Sequence, residues 1–572
     1  MKLTRRTFIK IAGAAGVAGC GTGEDPDAEL PTDYDSGPDE TFDASPEDLD
    51  AAIDKDAAEA VDAGAPDAGS LDAGSLDSGA PDSGALDSGA PDSGAPDAGA
   101  LDAGRDAGIE VPRDVPRDVG FDVPRDVPRD VPRDVPGVDA GRDSGVITVP
   151  HPDFRGLPER LPQFPLGVMA GDATDTSVMF WTKHDGDSAV TLRVLEMDGS
   201  RIAAVRFNGR VTPSGAGFVR AIVSGLRPNK QHLYAFLVGP ASAPTGRSSV
   251  GRVQTAIAAD SLSPIVFAGT SCTNQSARPY PVLADAGSRT DLDFFIHAGD
   301  HIYADYGDNA VTLPEYRAKY SASWSASGMR ALHRSTGQYL TWDDHEVFNN
   351  WNPETTSRAR VAAARAAFFE HRATRRNASD PDRIWRSFRW GRTAEVFVLD
   401  CRGERRPSTR SENPARSSTY ISRAQMDWLK SGLRSSPCVF KFIVNSVPIV
   451  DRAGGDSDNW NGYASQRREI LNHIANNRLR GVVWLSGDVH FGGVCQVEDT
   501  GPWSGIWEVI MGPGGSNRDG RPVVRASQWP VMVYGVHNYT LFHADPVSRT
   551  LTVDFINGSG GRIPGSRWSH TF

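Results

Sequence analysis

Residues Asp293–Asp305 read DFFIHAGDHIYAD. An apolar run of strand length stops at Gly299, and the next residues are Asp300, His301 and Tyr303. Glycine allows a sharp turn there, so the strand delivers a carboxylate and a phenol at its carboxyl end. The pattern recurs on both sides of this stretch. PIVFAGTSC (Pro264–Cys272) ends in a thiol, and QYLTWDDHE (Gln338–Glu346) ends in Asp343, Asp344 and His345. FKFIVNSVP (Phe440–Pro448) carries Asn445, and GVVWLSGDVH (Gly481–His490) ends in Asp488 and His490. Helical stretches separate these strands, which predicts α/β architecture. Open α/β sheets bind ligands outside the carboxyl ends of their strands.

Each residue alone is a weak signal: a lone Cys272 is more often a buried thiol, and a lone Tyr303 is usually core. Five successive strand ends of ligand type point to a binuclear metal site. Asp300 has two oxygens and can bridge two cations. Asp344, Asp488 and Asn445 offer hard oxygens, whereas Cys272, Tyr303 and His490 form a softer, more anionic set suited to a transition ion such as iron. Two cations about 3.5–4 Å apart can activate a water and clamp a phosphate.

Five of these stretches resemble, in order, the motifs of the PhoD-like alkaline phosphatases. They are Ser271-Cys272, GDHIYADYG (Gly299–Gly307), TWDDHEVFNNW (Thr341–Trp351), LDCR (Leu399–Arg402) and SGDVHFGG (Ser486–Gly493). PLGVMAGDATDTSVMFWTK (Pro165–Lys183) resembles the entry to that family's small N-terminal β-domain. The resemblance implies a metallophosphatase-like two-sheet sandwich flanked by helices over 260–572. It implies Fe(III) with Ca(II), another divalent ion being an alternative at the second site. Cys272, Asp300, Tyr303 and His490 match iron ligands, with Asp300 bridging. Asp344 and Asp488 match calcium ligands, joined by Asn350 in preference to Asn349. Asn445 falls where related metallophosphatases place a metal-binding histidine. His345 matches a proton donor near the leaving oxygen.

The implied activity is hydrolysis of phosphomonoesters or phosphodiesters through attack of a metal-bridging hydroxide. The alternatives are a phospholipase-type or nuclease-like phosphodiesterase, and a non-catalytic, surface-displayed binding lipoprotein. Arg402 either binds a phosphate oxygen or pairs with Asp400 and Glu404. The stretch TNQSARPYPV after Cys272 departs from the family pattern and leaves the pocket shape there open.

Four strand-like runs between 154 and 257, rich in β-branched and aromatic residues, predict a small β-sandwich ahead of the α/β segment. Ser357–Arg376 and Tyr420–Leu433 read as helices, and Tyr539–Gly558 as a hairpin closing the second sheet. The arginines of 357–376 read as a solvated face, so no specific nucleic-acid partner is expected.

The remaining sequence reads as leader and spacer. MKLTRRTFIKIAGAAGVAGC pairs Arg5-Arg6 with an apolar run too short to span a bilayer, which reads as a twin-arginine signal peptide over 1–20. Val17-Ala18-Gly19-Cys20 resembles a lipobox, with Cys20 the lipidated residue. The expected partners are the twin-arginine export machinery (Tat), a membrane reached through the lipid, and a phosphate-ester substrate. The expected location is periplasmic or cell-surface. Residues 21–150 repeat Asp, Ala, Gly, Pro and Val-Pro-Arg-Asp units and are expected to form a disordered stalk. They hold 34 acidic and 8 basic residues, and the first twenty residues hold four basic ones. Of the total charge of −13, this leaves +9 on 151–572, a mild attraction for anionic substrates.

Overall fold

The strands that end in ligand-type residues lie side by side in the computed structural model, which describes residues 153–186, 188–406, 419–451, 459–516 and 526–572. The leader, Cys20 and the acidic repeats fall outside the described residues. Ile265–Thr270, Phe294–His297, Gly337–Leu340 and Val168–Gly171 run parallel at the centre of a nine-stranded sheet. A second, seven-stranded sheet has Ala394–Val398, Phe440–Val444, Val482–Ser486 and Trp507–Ile510 as its parallel centre. These central strands are buried along nearly their whole length, as parallel strands covered on both sides are.

The two sheets bury their facing sides against each other. Phe267, Phe294 and Tyr339 of the first share one core with Trp390, Phe442, Val444 and Leu485 of the second. The Phe267 ring meets Phe442 edge-on at 4.9 Å, and Phe294 lies 4.9 Å from Trp390. Helices Pro281–Ser288, Leu313–Trp324, Ser327–Ser335 and Arg358–Glu370 contribute to the core on the outer face of the first sheet. Helices Arg423–Ser435 and Ala464–Asn476 cover Phe397, Ile443 and Trp484 of the second. The fold is therefore the expected two-sheet sandwich flanked by helices. The helix expected from Tyr420 starts at Arg423 because the Ser422 side chain caps it, accepting from Gln425 N–H. Among the described residues no helix is long and apolar enough to cross a membrane.

Three features depart from the sequence reading, the first being that Arg372 and Arg375 of 357–376 are buried and not part of a solvated face. The first β-rich segment does form a sandwich: five strands between Val190 and Gln254 pack on Ser177–Lys183 and Phe218–Ser224 through Phe180, Val219, Leu192 and Phe236. Its second layer, however, is part of the nine-stranded sheet, because Val168–Gly171 pairs in parallel with Gly337–Leu340. The terminal hairpin, Asn538–Asp545 with Thr550–Asn557, extends the first sheet and not the second. Its inner strand pairs antiparallel with Ile265–Thr270, the strand that leads to Cys272.

Candidate metal centre

Three of the ligand-bearing loops leave their strands through a backbone turn that few residues adopt. Cys272, Asp300 and Asp488 follow their strands by two or three residues and have φ of 55°, 55° and 67°; Asn350 also has φ of 55°. Left-handed backbone outside glycine costs energy, and its concentration at one place is typical of functional sites. The loops also touch. A Cβ on Gly299 would sit 2.5 Å from Asp343 Cβ, and one on Gly487 would sit 2.6 Å from Ser271 Cβ. Only glycine permits these approaches. Backbone bonds fasten the first two loops, from Cys272 N–H to Gly299 O at 3.2 Å and Thr273 N–H to Asp300 O at 2.8 Å.

The side chains converge as a result. Asp300 Oδ2 lies 3.6 Å from Cys272 Sγ and 3.3 Å from Tyr303 Oη, which is 3.1 Å from His490 Nε2. Three groups each have ligand atoms within 4.8 Å of one another: Cys272, Asp300 and His490; Asp300, Asp344 and His345; Asp343, Asp344 and Asp488. Asp300 joins the first group to the second, and Asp344 joins the second to the third. Asn350 is exposed, and its backbone N–H donates to Asp344 Oδ2 at 2.7 Å.

Electrostatics show what this donor set suits. Burial, then Asp344, Asp343, Glu346 and Asp488, push the Asp300 carboxyl well above its usual range. Burial and Asp300 likewise raise the Cys272 thiol, and burial, Cys272 and Asp300 raise the Tyr303 phenol. The Arg402 guanidinium enters the cluster, 2.6 Å from Asp343 Oδ1, 3.1 Å from Asp488 Oδ1 and 3.9 Å from Asp344 Oδ2. One guanidinium cannot balance so many buried acids. Cations can, and they also favour the thiolate and phenolate. The donor set fits them, with thiol, phenol and imidazole on one side of Asp300 and carboxylates on the other.

His345 sits beside this cluster with its own partner. Its Nδ1 lies 2.7 Å from Asp305 Oδ1, and its ring stacks at 4.1 Å on Tyr303 and 5.4 Å from Tyr306. Burial alone would lower its pKa, but Asp344 and Asp305 outweigh burial and raise it to about 9. Asp305 was missed in the sequence, although it stands in the same GDHIYAD run. Glu346 proves to be a clamp. Its two oxygens accept from the backbone N–H of Asp300, His301 and Asp343 and from His301 Nδ1, at 2.7–3.2 Å. His301 is thereby turned away to stack on His297 at 3.8 Å.

Two residues are engaged differently from the sequence reading. Asn445 Oδ1 accepts from Trp460 Nε1 at 3.1 Å and Cys401 Sγ at 3.0 Å, so its oxygen is taken up inside the fold. Arg402 turns its guanidinium to Asp343 and Asp488, not to Asp400 or Glu404; Asp400 accepts only its backbone N–H, at 3.1 Å. The divergent stretch after Cys272 holds the Tyr303 backbone, with Gln275 Nε2 donating to Tyr303 O at 3.1 Å.

Stacked mixed sheets with a cluster of acidic, histidine and cysteine side chains at their strand ends define a metallophosphatase-type fold. Two models of one family match the chain: the PhoD-like phosphatase N-terminal domain over 154–257 and PhoD-like phosphatase over 267–542. The chain belongs to the PhoD-like phosphatase family. It is 30% identical over 395 residues to alkaline phosphatase D of Bacillus subtilis (strain 168), covering 59% of this chain and spanning 65% of that relative. A solved PhoD structure superposes with a TM-score of 0.62 at 23% identity, over 72% of this chain and 90% of that one. Purple acid phosphatase PPD1 from yellow lupin seeds gives 0.51 at 11% identity, over 70% and 73%.

Proposed function

We propose that this chain is an exported, lipid-anchored, metal-dependent phosphoric ester hydrolase acting on phosphomonoesters, phosphodiesters or both. The observation that carries the reading is the chain of three ligand groups linked through Asp300 and Asp344. Cys272, Asp300, Tyr303 and His490 would hold iron; Asp300, Asp344, Asp488 and Asn350 would hold calcium or another divalent ion. When bound, such ions lower the pKa of a water and polarise phosphoryl oxygens.

The protein's own groups do the rest. Arg402 fixes the orientation of Asp343 and Asp488. Asp305 accepts from His345 Nδ1–H and leaves Nε2 to carry the second proton. That proton passes to the leaving alkoxide as a water-derived oxygen bonds to phosphorus and the ester P–O bond breaks, so the alcohol departs neutral. The Tyr303 ring, stacked at 4.1 Å on His345, holds the imidazole plane. The twin arginines and Cys20 support export and anchoring.

The deciding experiment assays purified protein on p-nitrophenyl phosphate and bis(p-nitrophenyl) phosphate, before and after exhaustive chelation. Hydrolysis of at least one ester, abolished by chelation and restored by metal, supports the reading. Protein that contains metal yet cleaves neither ester favours a binding role.

A further inference from the structure

The rim beside His345 carries an aromatic ring that the proton transfer does not require. Tyr306 is 44% exposed, one of few large apolar side chains so open among the described residues. Yet its ring is ordered by contact: it lies 5.0 Å from Tyr303 and 5.4 Å from His345, tilted by 20° to each. The ring thus packs beside the two buried rings while much of its surface stays open to solvent. The backbone beneath is pinned. Tyr306 N–H donates to Tyr303 O at 3.3 Å, and Tyr306 O accepts from Lys319 Nζ at 2.5 Å. A rigid aromatic face beside a proton donor is a stacking platform for whatever is attached to the leaving oxygen.

We infer that Tyr306 selects esters whose leaving group carries a flat π face, an aryl or nucleobase-bearing alcohol, over esters of small hydrophilic alcohols. The inference rests on the proposed hydrolase reading. Stacking on a side chain tolerates different rings, because each presents a π face. The contact is made before and during reaction alike, so it strengthens substrate binding more than it speeds the chemical step. Phenylalanine keeps the platform and alanine removes it.

The test measures kcat and KM for p-nitrophenyl phosphate, a nucleoside monophosphate and glycerol phosphate with wild type, Tyr306→Ala and Tyr306→Phe. For the flat-ring esters that wild type cleaves, Tyr306→Ala should raise KM roughly tenfold with kcat nearly kept. Its glycerol phosphate kinetics should be unchanged, and Tyr306→Phe should resemble wild type. The separate aryl and nucleoside arms show which ring the platform takes. An equal loss on all three esters, seen in kcat, would overturn the inference and make Tyr306 a support for His345. Unchanged kinetics on every ester would overturn it too. Wild-type protein that cleaves none of the three, nor the bis ester, would overturn the hydrolase reading and this inference with it.

Discussion

Asp300 Oδ2 stands 3.6 Å from Cys272 Sγ and 3.3 Å from Tyr303 Oη, an acid, a thiol and a phenol together in a fully buried place. Burial disfavours the ionised form of all three groups, and each ionised neighbour would disfavour the next. A multivalent cation reverses this balance. Cys272→Ala should therefore lower bound iron to a small fraction of the wild-type amount while leaving the fold intact, measured by elemental analysis and circular dichroism. Unchanged iron would remove Cys272 from the ligand set.

The His345–Asp305 pair makes a separate, kinetic prediction. His345→Ala should keep its metal and lose roughly 10²–10⁴-fold in kcat, the usual contribution of a positioned proton donor. Asp305→Asn should lose kcat as well, and its pH–rate profile should lose its alkaline limb at lower pH than wild type. Removing the carboxylate takes away one of the groups that raise the imidazole pKa. A profile identical to wild type would show that Asp305 does not tune His345.

Glu346 accepts three backbone N–H groups and an imidazole nitrogen, which joins the Asp300 loop to the Asp344 loop. An amide in its place turns an NH₂ toward donors. Glu346→Gln should cost about 3 kcal/mol of stability, with weaker metal retention, in chemical denaturation. A loss below about 0.5 kcal/mol, within the range of an ordinary surface change, would contradict the clamp.

Acid should weaken the fold through two buried histidines away from the ligand cluster. Burial lowers His232 to about 4 and His371 to about 3. Both are neutral when folded and bind protons near pH 6.5 when unfolded, so stability is complete above 6.5 and falls as pH drops toward 4. Asp293 acts in the opposite sense. Burial raises it to about 6, so its contribution is present below 3.8 and is lost as pH rises through 6. From these three groups alone, two histidines against one carboxyl leave a loss on the order of 2 kcal/mol between pH 7 and 5. Denaturant midpoints that do not fall on acidification would contradict it.

The sandwich and the ligand loops were legible because apolar strand runs and abrupt polar ends are local signals. What was not legible depends on partners remote in the chain. Arg402 sits 59 residues from Asp343 and 86 from Asp488, and nothing in LDCR says which acid its guanidinium meets. Asn445 occupies a strand end like the other candidates, but Trp460 and Cys401 take its oxygen. Asp305 was within sight of Tyr303, yet only the fold brings it to His345. The terminal hairpin was recognisable as a hairpin; its choice of sheet lies in the pairing with Ile265–Thr270, which no local pattern encodes.

The most direct measurement is the metal content per chain of purified wild-type protein and of Asp300→Ala, by inductively coupled plasma mass spectrometry. About two ions per chain are expected in wild type, iron among them, and close to none in Asp300→Ala, because Asp300 joins two of the ligand groups. Wild-type protein that hydrolyses phosphate esters while holding no metal would contradict the binuclear centre.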